Sequence, residues 1–555
     1  MKMKVSELIV RYMERLGIDH IFGIPGAHIL PVYDSLYDSS IEAVLTKHEQ
    51  GASFMAGGYT RASGKISACI ATAGPGATNL VTGVANAYAE KQPLLIITGE
   101  TPTHIFGKGG LQESSGEGGS IDQTALFKGI TQYNRVIERT DYLPQVLKQT
   151  SKILLSPNSG PVLLSFPFNI QNELVDADIL DSIRTVKREQ SFNEASPAIA
   201  DLSQLIMDAE KPVIIAGYGC MQSGAGEVIS HLSELMGIPV TTSLKAKGVI
   251  SEQSPLSLGS LGVTSGGCAY RYITDEADLL IFLGASFNER TSYLWDKTLL
   301  SGKKIAQIDH DFAQLEKVFD ADLALNGDIR EALEGVARNI EATGNSRALP
   351  EQTQHYLSSL RSTSNRDYAQ FHSGFSLIEH FFLKLEAHFP ENAVVFDDNI
   401  IFAQNFFNVA SGNRYYPNSG VSSLGHAIPA AIGAQFHETK SMFAILGDGG
   451  FQMCCMEIMT AVNYNKPLNI VVFNNSTMGL IRKNQHQHYQ QRYINCDFIN
   501  PDFEQLARAF GINYKQVAVE ADLESLFADY DLSGTINLIE VLIDKDAFPN
   551  YSSKR

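Results

Sequence analysis

The stretch that most constrains this chain runs from Phe443 to Asn475. It opens with a short apolar strand, Phe443 to Leu446, followed by Gly447-Asp448-Gly449-Gly450. An amphipathic helical run, a Lys466-Pro467 turn, a second apolar strand from Leu468 to Phe473 and the pair Asn474-Asn475 complete it. A strand, a helix and a second strand in that order form the crossover of a parallel sheet. Ligands of such sheets gather at the C-terminal strand ends, where Asp448 and Asn475 both fall. A glycine turn lets backbone approach a phosphate, and the helix N-terminus beyond it favours negative charge. A carboxylate, an amide oxygen and backbone carbonyls are hard ligands suited to Mg²⁺. The residues alone therefore read as a metal–diphosphate site.

The remaining sequence has room for about three domains: 555 residues, 44% hydrophobic and 19% charged. A formal charge of −18 argues against nucleic acid or an anionic membrane surface as partner. The six cysteines (Cys69, Cys220, Cys268, Cys454, Cys455, Cys496) form no CxxC pair, which fits a reduced, cytoplasmic chain better than a disulfide framework or zinc site. The opening MKMKVSELIVRYMERLG reads as an amphipathic helix and not a signal peptide, and no 18-residue apolar run is present.

Alternating helix and strand patterns predict three doubly wound α/β units with parallel sheets. Their expected bounds are 1–170, 190–340 and 375–547. Predicted strands include His20–Gly23, Ile41–Leu45, Ser67–Ala71, Leu94–Thr98, Val213–Gly217, Pro239–Thr242, Leu279–Gly284, Lys304–Asp309 and Ala393–Phe396. Weakly periodic stretches at about 171–197 and 341–374 read as linkers. Glu49 follows a strand within KHEQGA, where an acid at a helix N-terminus complements the dipole.

GDG followed, after a helix, by NN resembles the signature of thiamine-diphosphate enzymes. The resemblance implies Mg²⁺ held by Asp448, Asn475 and the carbonyl of Thr477. It also places Gly447, Gly449, Gly450, Met478, Gly479 and Leu480 around the cofactor. The pieces FGIPGAHILPVYDSLY, HEQGASFMAGGYTRASGK, ATAGPGATNLVTGVANAY and ITGETPTHIFG resemble the acetohydroxyacid synthase branch in particular. So do LGHAIPAAIGA and MGLIRKNQHQHYQQRY, which extend the resemblance to the third unit. It implies an active site between two chains, hence a dimer at least and a tetramer as the expected assembly. Glu49 becomes the acid that hydrogen-bonds the cofactor's aminopyrimidine and promotes its self-deprotonation. Pro25, Gly26, Pro75 and Asn79 line the pyrimidine end, Leu424 props the bent cofactor, and Gln112 faces the active centre. Asn399, within DDNIIFAQ, is a further cofactor contact. The middle unit resembles, more loosely, the FAD-binding domain of that branch, through Gly217, Gly219, Thr242, Leu244, Gly262, Gly284, Arg290, Asp309 and Asp328. There the flavin need not take part in net redox chemistry.

The sequence also departs from the branch. Asn484 stands where a tryptophan usually narrows the pocket for the second 2-keto acid, and the chain's single tryptophan is Trp295. His28 replaces a small residue, Leu111 a phenylalanine, and DDNIIFAQ the usual glycine–glutamine–histidine run. The expectation is a carboligase that decarboxylates a short 2-keto acid, pyruvate first. His28, Gln112 and Asn484 would then steer a ketone, aldehyde or keto-sugar acceptor. A true acetolactate synthase, a pyruvate oxidase or 2-keto-acid decarboxylase, and a non-catalytic assembly protein stay open as alternatives. So does a separate regulatory subunit.

Overall fold

The computed structural model describes residues 2–183, 192, 196–367 and 373–549. Ser67–Ala71, Val162–Pro167, Pro212–Ala216, Leu279–Leu283 and Ala393–Asp397 are buried at every position. Strands read this way when helices cover both faces of a parallel sheet. Three six-stranded sheets result, one per domain.

The first sheet has the spatial order Glu42–Leu45, His20–Gly23, Ser67–Ala71, Leu94–Glu100, Val162–Pro167, Tyr133–Val136, all parallel. The third repeats it: Arg414–Pro417, Ala393–Asp397, Ser441–Gly447, Leu468–Asn474, Ile536–Leu542, Asn513–Val517. The middle sheet differs, running Ser257–Ser260, Val240–Thr242, Pro212–Ala216, Leu279–Leu283, Lys304–Asp309, Leu323–Asn326. In each sheet the connections reverse direction between two neighbouring strands, and a crevice opens beyond their C-terminal ends. In the first domain that crevice lies beyond His20–Gly23 and Ser67–Ala71. In the middle domain it lies beyond Pro212–Ala216 and Leu279–Leu283, and in the third beyond Ala393–Asp397 and Ser441–Gly447.

The outer domains pack directly on each other. Helix Glu49–Ser63 lies against helix Ala427–Ala434, and their glycines let the backbones close up. A β-carbon on Gly58 would overlap the Ala430 carbonyl, and one on Gly433 the Met55 carbonyl. One hydrophobic cluster consequently runs through both domains, including Met55, Tyr59, Ile428, Ile432 and Phe451.

The edges of the expected elements shift in three places. Residues 2–4 are not helical: Lys2–Lys4 pairs antiparallel with Leu174–Asp176, so the first expected linker begins as a small sheet against the first domain. Helix Glu351–Asp367 occupies much of the second expected linker. Its polar composition hid it, although Leu357 and Leu360 are buried against the middle domain. Among the described residues no helix is long and apolar enough to cross a membrane.

Candidate active site

The crevice of the first domain gathers most of the candidate residues on that side. Glu49 opens its helix with only 9% of its surface exposed, and Asn79 Nδ2 donates to its Oε2 at 2.9 Å. Gly76 passes so close that a β-carbon there would sit 3.5 Å from Glu49 Oε1. The start of the Glu49 helix is held from the third domain. Buried Glu457 accepts the backbone N–H groups of Lys47 at 3.1 Å and His48 at 2.9 Å. Pro75 begins the short helix that carries Asn79, and Gly26 abuts Thr72.

His28 and Gln112 meet in the same crevice, at 3.3 Å between Nδ1 and Oε1. The Thr72 hydroxyl donates to the same Gln112 oxygen at 3.3 Å. Gln112 adopts left-handed backbone with φ +58°, and a β-carbon on Gly74 would come 3.1 Å from its Cβ. A glycine at 74 is therefore needed for the turn to close. Leu111, beside Gln112, is 73% exposed.

The third domain's crevice carries the second half. Strands Ser441–Gly447 and Leu468–Asn474 are hydrogen-bonded neighbours, so their C-terminal turns meet. Asp448 Oδ2 accepts the Ser476 N–H at 2.6 Å and Asn500 Nδ2 at 2.9 Å, and Oδ1 accepts the Gly449 N–H at 3.0 Å. Burial pushes its carboxyl above the usual range, and these donors pull it back. Asn475 Oδ1 accepts the Thr477 N–H at 3.3 Å, and the buried Thr477 hydroxyl donates to the Cys496 carbonyl at 2.9 Å. A β-carbon on Gly479 would meet Asn475 Nδ2, and one on Gly449 would meet the Met478 sulfur. The turns are thus packed to place one carboxylate, one amide oxygen and nearby carbonyls together. Among the described residues no group of three His, Cys, Asp or Glu side chains could hold a metal. A donor set of mixed oxygens is what remains, and it suits Mg²⁺ with phosphate oxygens and water completing the shell.

Family profiles match all three domains: the thiamine pyrophosphate enzyme N-terminal TPP binding domain over residues 3–125, the central domain over 199–336 and the C-terminal TPP binding domain over 399–541. The probable acetolactate synthase large subunit of Methanococcus aeolicus is 32% identical over 93% of this chain and 88% of its own length. The chain belongs to the thiamine pyrophosphate enzymes. Acetolactate synthase isozyme 2 large subunit of Escherichia coli is 31% identical, covering 98% of this chain and 96% of its own. The Corynebacterium glutamicum large subunit is 31% identical over 98% and 88%. This is a thiamine-pyrophosphate-dependent, C–C bond-forming enzyme of the acetolactate synthase large-subunit type.

Other expected contacts of this thiamine enzyme fall less evenly. Leu424 lies beside Gly450, its Cβ 3.9 Å from where a β-carbon would stand. Asn399 adopts φ +65°, and its buried side-chain oxygen has no partner among the described residues. Leu480 is 38% exposed and Asn484 half-buried on helix Gly479–His488. No hydrogen bond joins Glu49 to the Asp448 turn among the described residues.

In the middle domain a cavity of about 420 Å³ occupies the crevice, lined by Gly219, Leu244, Gly262, Gly284, Arg290 and Asp309 of the expected flavin residues. Lys91 from the first domain and Lys245 also line it. Gly217 and Gly284 permit the close crossing of the two strand ends, since a β-carbon on either would collide with the other segment. These glycines and cations suit a dinucleotide diphosphate. Three of the expected residues lie outside that lining. Asp328 caps helix Ile329–Thr343 by accepting the Glu331 N–H at 3.0 Å. Gly217 packs the crossing and Thr242 is buried in its strand.

Sequence reasoning missed Thr72, Glu100, Asp398, Glu457 and Asn500. Asp398 is fully buried and accepts the Gly425 N–H at 2.6 Å and Asn418 Nδ2 at 3.0 Å, tying the Leu424 turn to the crevice. The adjacent acids Asp397-Asp398 at the end of an apolar strand were the available signal. Asn500 gave none, being brought to Asp448 from 52 residues away.

Proposed function

We propose that this enzyme decarboxylates a short 2-keto acid, pyruvate first, and joins the remaining acyl unit to a second carbonyl in an altered acceptor pocket. The observation that carries the reading is Glu49: a buried carboxylate beside Asn79, at the crevice where the pyrimidine end of the cofactor belongs. Thiamine diphosphate, when bound, supplies the electron sink that lets the 2-keto acid lose CO₂ and its acyl carbon act as a nucleophile.

Asp448, Asn475 and the Thr477 carbonyl would hold Mg²⁺, and the GDGG turn would cradle the diphosphate. Glu49 would hydrogen-bond the aminopyrimidine and serve as the acid–base group beside it. His28, Gln112 and Asn484 orient the acceptor; half-buried Asn484 offers hydrogen bonds where a tryptophan would fill space. Because Glu49 and the Asp448 turn lie on separate crevices, the site is completed between two chains. Exposed Leu480, Ile481, Met453 and Met456 near the third domain's turns support that assembly. FAD in the middle cavity would serve structure rather than turnover, held by Arg290, Lys245 and the Gly219 and Gly284 backbones.

Product analysis tests the reading. The protein is incubated with pyruvate, Mg²⁺ and thiamine diphosphate, with and without a panel of ketones, aldehydes and keto sugars, and the products are identified by NMR. Slow turnover on pyruvate alone that accelerates with one acceptor supports it. Rapid acetolactate formation from pyruvate alone refutes the altered pocket. Full CO₂ release by Glu49→Gln refutes the role of Glu49.

A further inference from the structure

Thr72 directly follows strand Ser67–Ala71, at the crevice of the first domain. Two glycines pack against it. A β-carbon on Gly26 would lie 2.5 Å from Thr72 Cβ, and one on Gly76 would lie 2.9 Å from Thr72 Cγ2. The Gly76 position is also the one that comes 3.5 Å from Glu49 Oε1. The Thr72 side chain is thus wedged beside the catalytic candidate, and its hydroxyl has little room to turn.

That hydroxyl accepts the His28 N–H at 3.4 Å and donates to Gln112 Oε1 at 3.3 Å. His28 Nδ1 faces the same oxygen at 3.3 Å. The three residues close a ring of hydrogen bonds around one amide oxygen. An amide oxygen has two lone pairs, and Thr72 and His28 take both. Turned the other way, the amide would leave the Thr72 proton without an acceptor among the described residues. The orientation with Oε1 toward Thr72 is the one that satisfies the ring.

What remains free is Gln112 Nε2. It has no partner among the described residues, and it is open to solvent rather than sealed in the interior. The Gln112 backbone is left-handed, φ +58°, which a glutamine keeps only where its surroundings hold it there. The Ser114 hydroxyl supplies part of that hold: it accepts the Gly74 N–H at 2.9 Å and donates to the Gln112 carbonyl at 3.0 Å. Nearby acids do not take up the amide. Glu49 Oε2 accepts Asn79, and Glu113 accepts the N–H groups of Gly107, Gly109 and Gly110. A free amide N–H recognises an oxygen that has lone pairs and no proton, such as a carbonyl oxygen. A donor already fixed where negative charge gathers needs no reorganisation when the charge appears.

We propose that Thr72 is a positioning residue that turns the Gln112 amide so that its N–H, and not its oxygen, holds the carbonyl oxygen of the acceptor. This rests on the reading above that Gln112 faces the acceptor. As the new C–C bond closes on the acceptor carbon, the C=O π pair moves onto the oxygen, and a proton from water completes the alcohol. The amide gives up no proton; it orients the carbonyl and stabilises the charge drawn onto it.

The holoenzyme tests it with pyruvate as donor and, as acceptor, whichever of pyruvate, acetaldehyde and dihydroxyacetone yields most product. CO₂ release and the share of acyl units that reach ligated product are read separately. Gln112→Glu keeps an oxygen for Thr72 and His28 and puts a second oxygen in place of the N–H. Its ligated share is expected to fall about tenfold or more, as loss of an oriented donor does, with the excess leaving as acetaldehyde. Thr72→Val keeps the shape without the hydroxyl and is expected to lower the share about threefold or more, while Thr72→Ser restores it. In the Gln112→Glu background Thr72→Val is expected to add no further loss. A share kept by Gln112→Glu but lost by Gln112→Leu makes the amide oxygen the contact and overturns the proposal. CO₂ release falling in step with ligation in Gln112→Glu puts the N–H on the 2-keto acid and overturns it too. Equal shares in Thr72→Val and Thr72→Ser overturn the role of Thr72. A full share in both Gln112→Glu and Gln112→Leu overturns the underlying reading of Gln112. If Thr72→Val does not fold by circular dichroism, Thr72→Ala enters the same comparison with Thr72→Ser, where equality again refutes the role.

Discussion

Replacing Asp397 by asparagine should stabilise the third domain clearly more at pH 8 than at pH 5. Asp397 is fully buried at the end of its strand, where the Tyr415 hydroxyl and the Ile400 N–H donate to it. Burial pushes its carboxyl up to about 7, opposed by those donors and reinforced by the adjacent Asp398, itself raised to about 6 by burial. A carboxyl raised on folding binds more protons in the native than in the unfolded chain. Its contribution is fully present below the ordinary value of 3.8 and is lost as pH rises through about 7. A shift from 3.8 to about 7 corresponds to about 4 kcal/mol, each unit being about 1.4 kcal/mol. Asparagine imitates the protonated acid, so the variant escapes that loss. For a domain of this size about 4 kcal/mol moves the midpoint by roughly 8 °C or more. Buried His426, held down to about 4 by burial, works in the opposite direction over about pH 4–6.5. The quantity to compare is therefore the difference between variant and wild type at each pH. Thermal unfolding of the cofactor-free protein, read from the third domain's aromatic signal, measures it. An equal effect of Asp397→Asn at pH 5 and pH 8 would refute the assignment of a buried, late-titrating carboxyl.

Three further outcomes follow from the packing. Asn500→Ala removes the amide that fixes Asp448 and should weaken Mg²⁺ binding about 10- to 100-fold, measured by magnesium titration of the thiamine-diphosphate circular dichroism signal. Gly433→Ala forces a methyl into the Met55 carbonyl and should cost about 1–3 kcal/mol, seen as separated melting of the outer domains. Arg61 and Glu90 pair at 3.4 Å with side chains only 2% and 1% exposed. Arg61→Met strands the carboxylate and should cost about 3–5 kcal/mol in urea unfolding, more than Arg61→Met together with Glu90→Gln.

The sequence carried far where chemistry and local periodicity coincide. His20–Gly23, Ser67–Ala71 and Lys304–Asp309 form with the bounds read from apolar runs between turn residues. The Asp448 and Asn475 turns were legible because a parallel crossover carries its ligands at strand ends. Asp328 was ambiguous, because an acid beyond a strand reads alike whether it meets a ligand or, as here, caps the next helix. Helix Glu351–Asp367 was hidden by its polar composition.

By itself the sequence determined three parallel α/β units and the residue types at their strand ends, because burial on both faces and glycine turns are local demands on the chain. It could not show that the first and third sheets share one strand order, which depends on pairings between distant segments. Nor could it bring Asn500 to Asp448, or Glu457 to the start of the Glu49 helix. Those juxtapositions arise only when separate elements pack, and a buried polar atom declares its partner, or the lack of one, only there.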